Sequence, residues 1–233
     1  MIKAVMFDLD GTLLPMEEKQ FIDGYLNLLS KHLEGFGYNP KEVVKSIWKG
    51  TKLMLENQGP LTNEEVFWKS FSEDFGEEKL NDKKVFEDFY ENVFPQTIKF
   101  CSHNPKAKHV IDFVLENGLK LILATNPLYP LLAMEKRLAF IKLNAKNFDY
   151  ITSYENSHFS KGNPKYFEEI IKNNNLLPNE VLFFGNNELQ DGECSKKANI
   201  TAVMVGDNVI KNEGSNFKHI EFDEIISYIK SNL

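Results

Sequence analysis

A single apolar strand, Ile2-Lys3-Ala4-Val5-Met6-Phe7, runs directly into Asp8-Leu9-Asp10-Gly11-Thr12, and from there to about Phe94 the chain carries helical patterns only. An isolated strand cannot satisfy its own backbone donors and acceptors, so this one must join a sheet built from segments far downstream. Side chains alternate along a strand, so Asp8 and Asp10 point the same way from its last extended residues, and Gly11 lets the chain turn sharply. Two carboxylates this close repel unless a cation sits between them, and a hard, oxygen-seeking ion such as Mg²⁺ suits a strand terminus. The plainer reading, an acidic turn capping the next helix, leaves the apolar run before the acids and the Gly-Thr after them without a purpose.

The segment after Pro15 reads as four short amphipathic helices. Phe21, Tyr25, Leu28 and Leu29 share one helical face, and Val43, Val44, Ile47, Trp48, Met54 and Leu55 share another. Thr62 with Glu65 predicts a capping box ahead of Phe67, Phe71 and Phe75. A fourth helix is expected from near Asn81, with Val85, Phe86, Phe89 and Tyr90 inward. From Asn104 the texture changes to alternating helix and strand, the pattern of parallel βαβ units in a doubly wound α/β sheet. Strands are expected at Leu119–Ala124, around Tyr150–Thr152, at Val181–Phe184 and at Ile200–Val205. Helices are expected at Pro105–Asn117, Pro130–Ile141, Pro164–Asn173 and Glu221–Lys230. The opening strand must join this later sheet, which makes the helical block an insertion. Ligands of such sheets sit beyond the carboxyl ends of the strands, where Asp8 and Asp10 lie.

A chain of 233 residues is long enough to bury a substantial core. Its net charge of −7, with no basic run, argues against nucleic-acid or membrane-surface binding. Cys101 and Cys194 are far apart, no charged-then-apolar leader precedes the first strand, and no apolar stretch approaches a bilayer-spanning length. A soluble protein of the reducing cytoplasm is expected, its oligomeric state open. Lysine far outnumbers arginine, Arg137 being the sole one, which reads as base composition rather than function. The five histidines are scattered, and none is assigned a catalytic role.

Three further segments carry polar chemistry at strand ends. Thr125-Asn126 follows the strand Leu121-Ile122-Leu123-Ala124, where the Thr125 hydroxyl and the Asn126 amide could hold phosphate oxygens. Lys161 precedes a helix whose start is marked by Pro164, with Tyr166-Phe167 following. Gly185-Asn186-Asn187-Glu188-Leu189-Gln190-Asp191 follows the strand Val181-Leu182-Phe183-Phe184.

In this order the segments resemble the four motifs of the haloacid dehalogenase-like superfamily. The resemblance covers nearly the whole chain and implies a Rossmann-like core, residues 1–15 plus 95–233, with an all-α cap at 16–94. The gap between Asn126 and Lys161 is too short for a second cap. The family pattern makes Asp8 the nucleophile that becomes an aspartyl-phosphate and Asp10 the general acid and then base. Thr125, Asn126 and Lys161 would hold the phosphoryl group of a small phosphorylated metabolite. Asp10 favours phosphoryl chemistry, since the dehalogenase branch lacks that acid. Asp8, Asp10, Asn187 and Asp191 would form the Mg²⁺ site. Gly162 stands where the third motif usually has proline, and the fourth motif departs further, with an amide, Asn187 or Asn186 depending on where the count starts, in place of a metal-binding acid. The lost charge weakens binding by up to roughly 4 kcal/mol for a contact of about 4 Å at an effective dielectric of about 20. The resemblance therefore implies a Mg²⁺-dependent phosphohydrolase. A phosphomutase on the same machinery, or a weakly active or inactive descendant that binds a phosphorylated ligand or a protein partner, are the alternatives.

Overall fold

The computed structural model describes residues 1–233, the side chain of Leu80 excepted. After β1 (Ala4–Phe7) come α1 (Glu18–Glu34), α2 (Pro40–Leu55), α3 (Asn63–Phe75) and α4 (Lys83–Asp88). The alternating part follows: α5 (Ala107–Glu116), β2 (Lys120–Leu123), α6 (Leu131–Phe140), β3 (Tyr150–Ile151), α7 (Lys165–Asn173), β4 (Val181–Gly185), α8 (Cys194–Lys197), β5 (Thr201–Val205), β6 (Lys218–Ile220) and α9 (Ile225–Lys230). The strands form one parallel sheet in the order β3-β2-β1-β4-β5-β6. The molecule is an α/β protein of the doubly wound kind, with the opening strand at the centre of its sheet.

Strand residues are buried on both faces, which is why the strands read as continuous apolar runs. Val5, Phe7, Leu121, Leu123, Leu182 and Phe184 face the layer of α5 and α9. Ala4, Met6, Ile122, Ala124 and Phe183 face that of α7 and α8. Phe7 pairs in register with Leu123 on one side and Phe184 on the other, so Asp8, Thr125 and Asn186 all emerge at one edge of the sheet. The strand order reverses between β1 and β4, and at such a switch point the diverging connections leave a crevice.

The four helices between β1 and α5 start as their caps dictate. Glu17 caps α1, Asn39 caps α2 ahead of Pro40, and Thr62 and Glu65 form a reciprocal capping box on α3. α2 buries Val43, Ile47 and Met54, whereas Trp48 and Leu55, expected on the same face, are 48% and 42% exposed. They fall on the edges of that stripe rather than at its centre. The expected fourth helix is interrupted: α4 tightens out of a 3-10 turn at Glu77–Asp82, widens to a π-type turn over Phe89–Val93, and ends as a 3-10 segment, Phe94–Phe100. That irregular path keeps Phe86, Phe89, Tyr90 and Phe94 all buried, although no single helical face spans them. The expected closing helix begins as the 3-10 turn Phe222–Glu224, and edge strand β6 precedes it without an apolar pattern in the sequence. Among the described residues no helix is long and apolar enough to cross a membrane.

Candidate active site

Asp8 leaves the carboxyl end of β1 with its own N–H donating to the Phe184 carbonyl at 2.9 Å, so sheet pairing fixes it until the last residue. The residue is 5% exposed and its side chain is held from two directions. Thr12 Oγ1 donates to Oδ2 at 3.0 Å and Lys161 Nζ to Oδ1 at 2.5 Å. Burial pushes the Asp8 carboxyl up to about 6, against the opposing pull of Lys161. Gly11, at φ +78, turns the chain back in a conformation that costs side-chain-bearing residues energy, and a Cβ there would also collide with the Asn186 amide.

Lys161 comes from the loop before α7 and reaches across the sheet edge. Its ammonium contacts Asp191 Oδ1 at 2.6 Å as well as Asp8 and lies 5.4 Å from the centre of the Phe183 ring. Burial favours the neutral amine, but Asp191 and Asp8 together outweigh it and hold the lysine protonated. The loop is aimed by Asn126, whose Oδ1 accepts the Lys161 N–H at 3.2 Å. Gly162 has φ +104, a value closed to proline, so the departure from the usual motif is a requirement of this backbone. Thr125 is 2% exposed, and its carbonyl is fixed by Thr152 Oγ1 at 2.6 Å and the Tyr166 hydroxyl at 2.7 Å.

After β4 the chain folds so that Asp191 lies under its own loop. Asp191 Oδ2 accepts the N–H groups of Asn186 and Asn187, each at 3.0 Å. Asn187 Oδ1 is occupied as a helix cap, accepting from Leu189 and Gln190. Asn186 is the amide that stands against Gly11 beside the end of β1. Asp8, Asp10, Thr125, Asn126, Lys161, Asn186, Asn187 and Asp191 therefore all line one cavity of about 660 Å³ between the sheet edge and the helical block.

Asp10 has a partner that the sequence reading passed over. Arg137, on α6, is 1% exposed and forms an ion pair with Asp10 Oδ1 through Nη2. Its guanidinium lies 4.8 Å from the centre of the Phe21 ring and 5.6 Å from that of Tyr129. Burial pulls the Arg137 pKa down to about 9, a shift that Asp8 opposes. A signal was present: the chain's sole arginine falls on the apolar stripe of α6 with Ala133, Met134 and Leu138, where a charged group is expected only with a buried partner.

The charges leave room for a cation. Asp8, Asp10 and Asp191 face Lys161 and Arg137, a net negative charge before any anion enters. Among the described residues no three His, Cys, Asp or Glu side chains converge as a ready-made metal site. The desolvated Asp8 carboxylate and the adjacent Asn186 amide are oxygen donors on neighbouring strand ends, a set that suits a hard ion held weakly.

The arrangement can do nucleophilic chemistry. A desolvated, cation-steadied carboxylate sits at the base of a cavity with a second carboxyl two residues on. The haloacid dehalogenase-like hydrolase family model matches residues 5–205. No curated protein sequence matches the chain. Among solved structures, the chain is similar to a HAD phosphatase from Thermococcus onnurineus at 20% identity and TM-score 0.61, with 98% of each chain covered. It is also similar to a 2-haloacid dehalogenase from Pseudomonas syringae pv. Tomato DC3000 at 16% identity and TM-score 0.67, with 99% of each covered. Those likenesses speak to the fold; the family match, which spans the segments that build the site, makes this chain a member of the haloacid dehalogenase-like hydrolases.

Proposed function

We propose that the protein is a Mg²⁺-dependent phosphohydrolase of a small phosphorylated metabolite. The observation that carries the reading is Asp8, buried at the switch point, gripped by Thr12 and Lys161, and accompanied in the same cavity by Asp10. An Asp8 oxygen attacks phosphorus in line, the P–O bond to the alcohol breaks, and the proton the leaving alkoxide needs comes from Asp10. Water then attacks the aspartyl-phosphate, Asp10 takes its proton, and inorganic phosphate leaves with Asp8 restored. Lys161 reduces repulsion between Asp8 and the incoming anion, and Thr125 with the Asn126 main-chain N–H receives phosphoryl oxygens. The Asn126 side chain is already committed to positioning Lys161. Mg²⁺, held by Asp8 and Asn186 with Asp191 behind them, would supply further charge compensation to the phosphoryl oxygens. Residues 16–94 act as a cap that excludes bulk water. Cys101 and Cys194 are free thiols, in keeping with a reducing cytoplasm.

The test is phosphate release from a panel of phosphomonoesters with and without Mg²⁺, with Asp8→Asn as control. Mg²⁺-dependent release, abolished in the control, is the expected result. Phosphate moved to another position of the substrate would instead mark a mutase, and halide release from a 2-haloacid would replace the reading altogether. A folded protein that binds a phosphonate but releases nothing would be a ligand-binding descendant, a reading that Asn186, standing in place of an acid, keeps in play.

A further inference from the structure

The cavity has two chemically different ends. Its base is charged and polar, set by Asp8, Asp10, Thr125 and Lys161. Its roof, contributed by the helical block, is made mostly of apolar and aromatic side chains, among them Phe21, Ile47, Trp48, Phe67, Trp68 and Tyr90.

Charge decides what the roof can accept. Lys161 is the one cationic side chain among the described lining residues, and both Asp8 and Asp191 already share it. Arg137 lies outside the wall, spent on Asp10. The other charged side chains on the lining, Glu17 and Glu18, are acidic. A substrate with a second phosphate or a carboxylate would bury that anion with no counter-charge, and an uncompensated buried charge is among the costliest arrangements a site can hold.

Hydrogen bonding narrows the class further. The Tyr25 and Tyr90 hydroxyls are bonded to each other at 2.9 Å, and burial pushes both above the ordinary tyrosine range, so they remain neutral. Apart from these, the helical block offers the lining Glu18, Thr51 and the unpartnered Trp68 indole N–H, while the Glu17 carboxylate is already spent capping α1; the remaining polar side chains, such as Gln190 and Asn208, come from core loops. These isolated groups could replace only a few of the water contacts that a polyhydroxylated leaving group would lose against the aromatic rings. A flat or branched apolar body would lose nothing and would match the ring faces.

We infer that the substrate is the phosphomonoester of an uncharged, predominantly apolar, ring-sized alcohol, seated with its body against the cap aromatics. This rests on the phosphohydrolase reading for its chemistry, but the ligand preference follows from the cavity wall alone. Four primary alkyl esters with similar leaving-group chemistry test it: 2-phenylethyl phosphate, ethyl phosphate, 2-phosphoglycolate and glucose 6-phosphate. The expected order places 2-phenylethyl phosphate at least about tenfold above ethyl phosphate in kcat/KM, with the other two below ethyl phosphate. A preference for the carboxylated or the sugar ester, or no preference at all, overturns the inference and leaves the phosphohydrolase reading intact. Calorimetric binding of 3-phenylpropylphosphonate against propylphosphonate separates the two in the other direction. Tighter binding of the aryl compound without turnover of any ester upholds the cavity's preference while the phosphohydrolase reading fails, and equal or absent binding of both overturns the inference. Thr51→Lys puts a cation on the α2 wall and is expected to raise 2-phosphoglycolate relative to ethyl phosphate by about tenfold. An unchanged ratio would remove the charge argument.

Discussion

Asp8 is costly to the fold in the ionised form that the proposed chemistry needs. Burial pushes its carboxyl from the ordinary 3.8 up to about 6. An acid whose folded pKa is raised keeps its proton longer in the folded than in the unfolded chain, so it favours folding below the ordinary value and that contribution is lost as pH rises through about 6. Asp8→Asn mimics the neutral carboxyl. It is expected to abolish phosphate release, to melt no lower than the wild type at pH 7 in metal-free buffer, and to flatten the stability profile between pH 3.8 and about 6. Thermal unfolding across that range checks it, and a variant melting several degrees lower would show the Lys161 contact outweighing desolvation. Arg137 makes the opposite case, a buried cation whose removal strands a partner. Arg137→Met keeps most of the bulk against Phe21 and Tyr129 while freeing Asp10. Removing one partner of a buried ion pair costs about 3–5 kcal/mol when the other is left without water, but the Asp10 side chain is 38% exposed and can be hydrated, so Arg137→Met is expected to cost about 1–2 kcal/mol, whereas Arg137→Ala adds a void and costs about 3–5 kcal/mol. Turnover by Arg137→Met is expected to fall about a hundredfold because Asp10 loses its orientation. Denaturant unfolding beside phosphate-release kinetics separates the two effects, and unchanged turnover would make Arg137 purely structural.

At the scale of elements, the loop after β4 is where sequence spacing and three-dimensional position part company. Counting back from Asp191 selects Asn187, yet its Oδ1 caps the turn that carries Asp191, while Asn186 stands beside the end of β1. Spacing rules assume one loop geometry, and the π-type turn over Glu188–Glu193 takes another. Asn186→Asp is therefore expected to tighten Mg²⁺ binding by about 10- to 100-fold, below the ceiling set by a full unit charge at contact. Asn187→Asp, whose carboxylate can still serve as the cap, is expected to change it by less than about threefold. Calorimetric Mg²⁺ titration distinguishes them, and a larger gain from Asn187→Asp would reverse the assignment. The strands were readable because a parallel sheet buried on both faces leaves uninterrupted apolar runs, as in Leu121–Leu123 and Val181–Phe184. β6 was not, because Lys218 and His219 are exposed on an edge strand and only Ile220 is buried. Asp8 stood out as an acid placed after such a run, whereas Thr125, Lys161 and Asp191 were singled out only by the resemblance of their segments to the family's motifs; all four line one cavity. The pairing of Arg137 with Asp10 joins positions 10 and 137 through a third dimension that periodicity does not encode.

The whole molecule depends on how the helical block is tied to the sheet. On one side the two connecting segments run together, with the Ser102 N–H donating to the Pro15 carbonyl at 2.7 Å and the Asn104 amide to the Leu13 carbonyl at 3.1 Å. On the other side there is no covalent link, and a buried polar seam takes its place. Asn63, fully buried at the start of α3, donates from Nδ2 to the Pro127 carbonyl at 3.0 Å and to Ser160 Oγ at 3.2 Å, while its Oδ1 accepts from Asn57. The main-chain N–H groups of Asn63 and Glu64 donate to the carbonyls of Ser157 and Tyr154, each at 2.8 Å, and Ser160 Oγ donates to the Met54 carbonyl. The seam thus touches both the loop after Thr125 and the residue before Lys161, so the block cannot swing away without disturbing the groups that would receive the phosphoryl oxygens. Asn63→Ala leaves three buried polar partners short of a bond and is expected to cost about 2–3 kcal/mol. The surface pair Lys83–Glu64, 2.9 Å apart but partly exposed, is worth less than about 1 kcal/mol, so Lys83→Ala serves as the control for a change in the same region. If the seam is what holds the two parts together, Asn63→Ala speeds amide exchange at Asn63, Glu64 and Lys161 well beyond its effect on the centre of the sheet and lowers kcat/KM more than kcat. Exchange that rises uniformly over the whole chain would show that the seam contributes only to global stability and that the helical block is held by its apolar contacts alone.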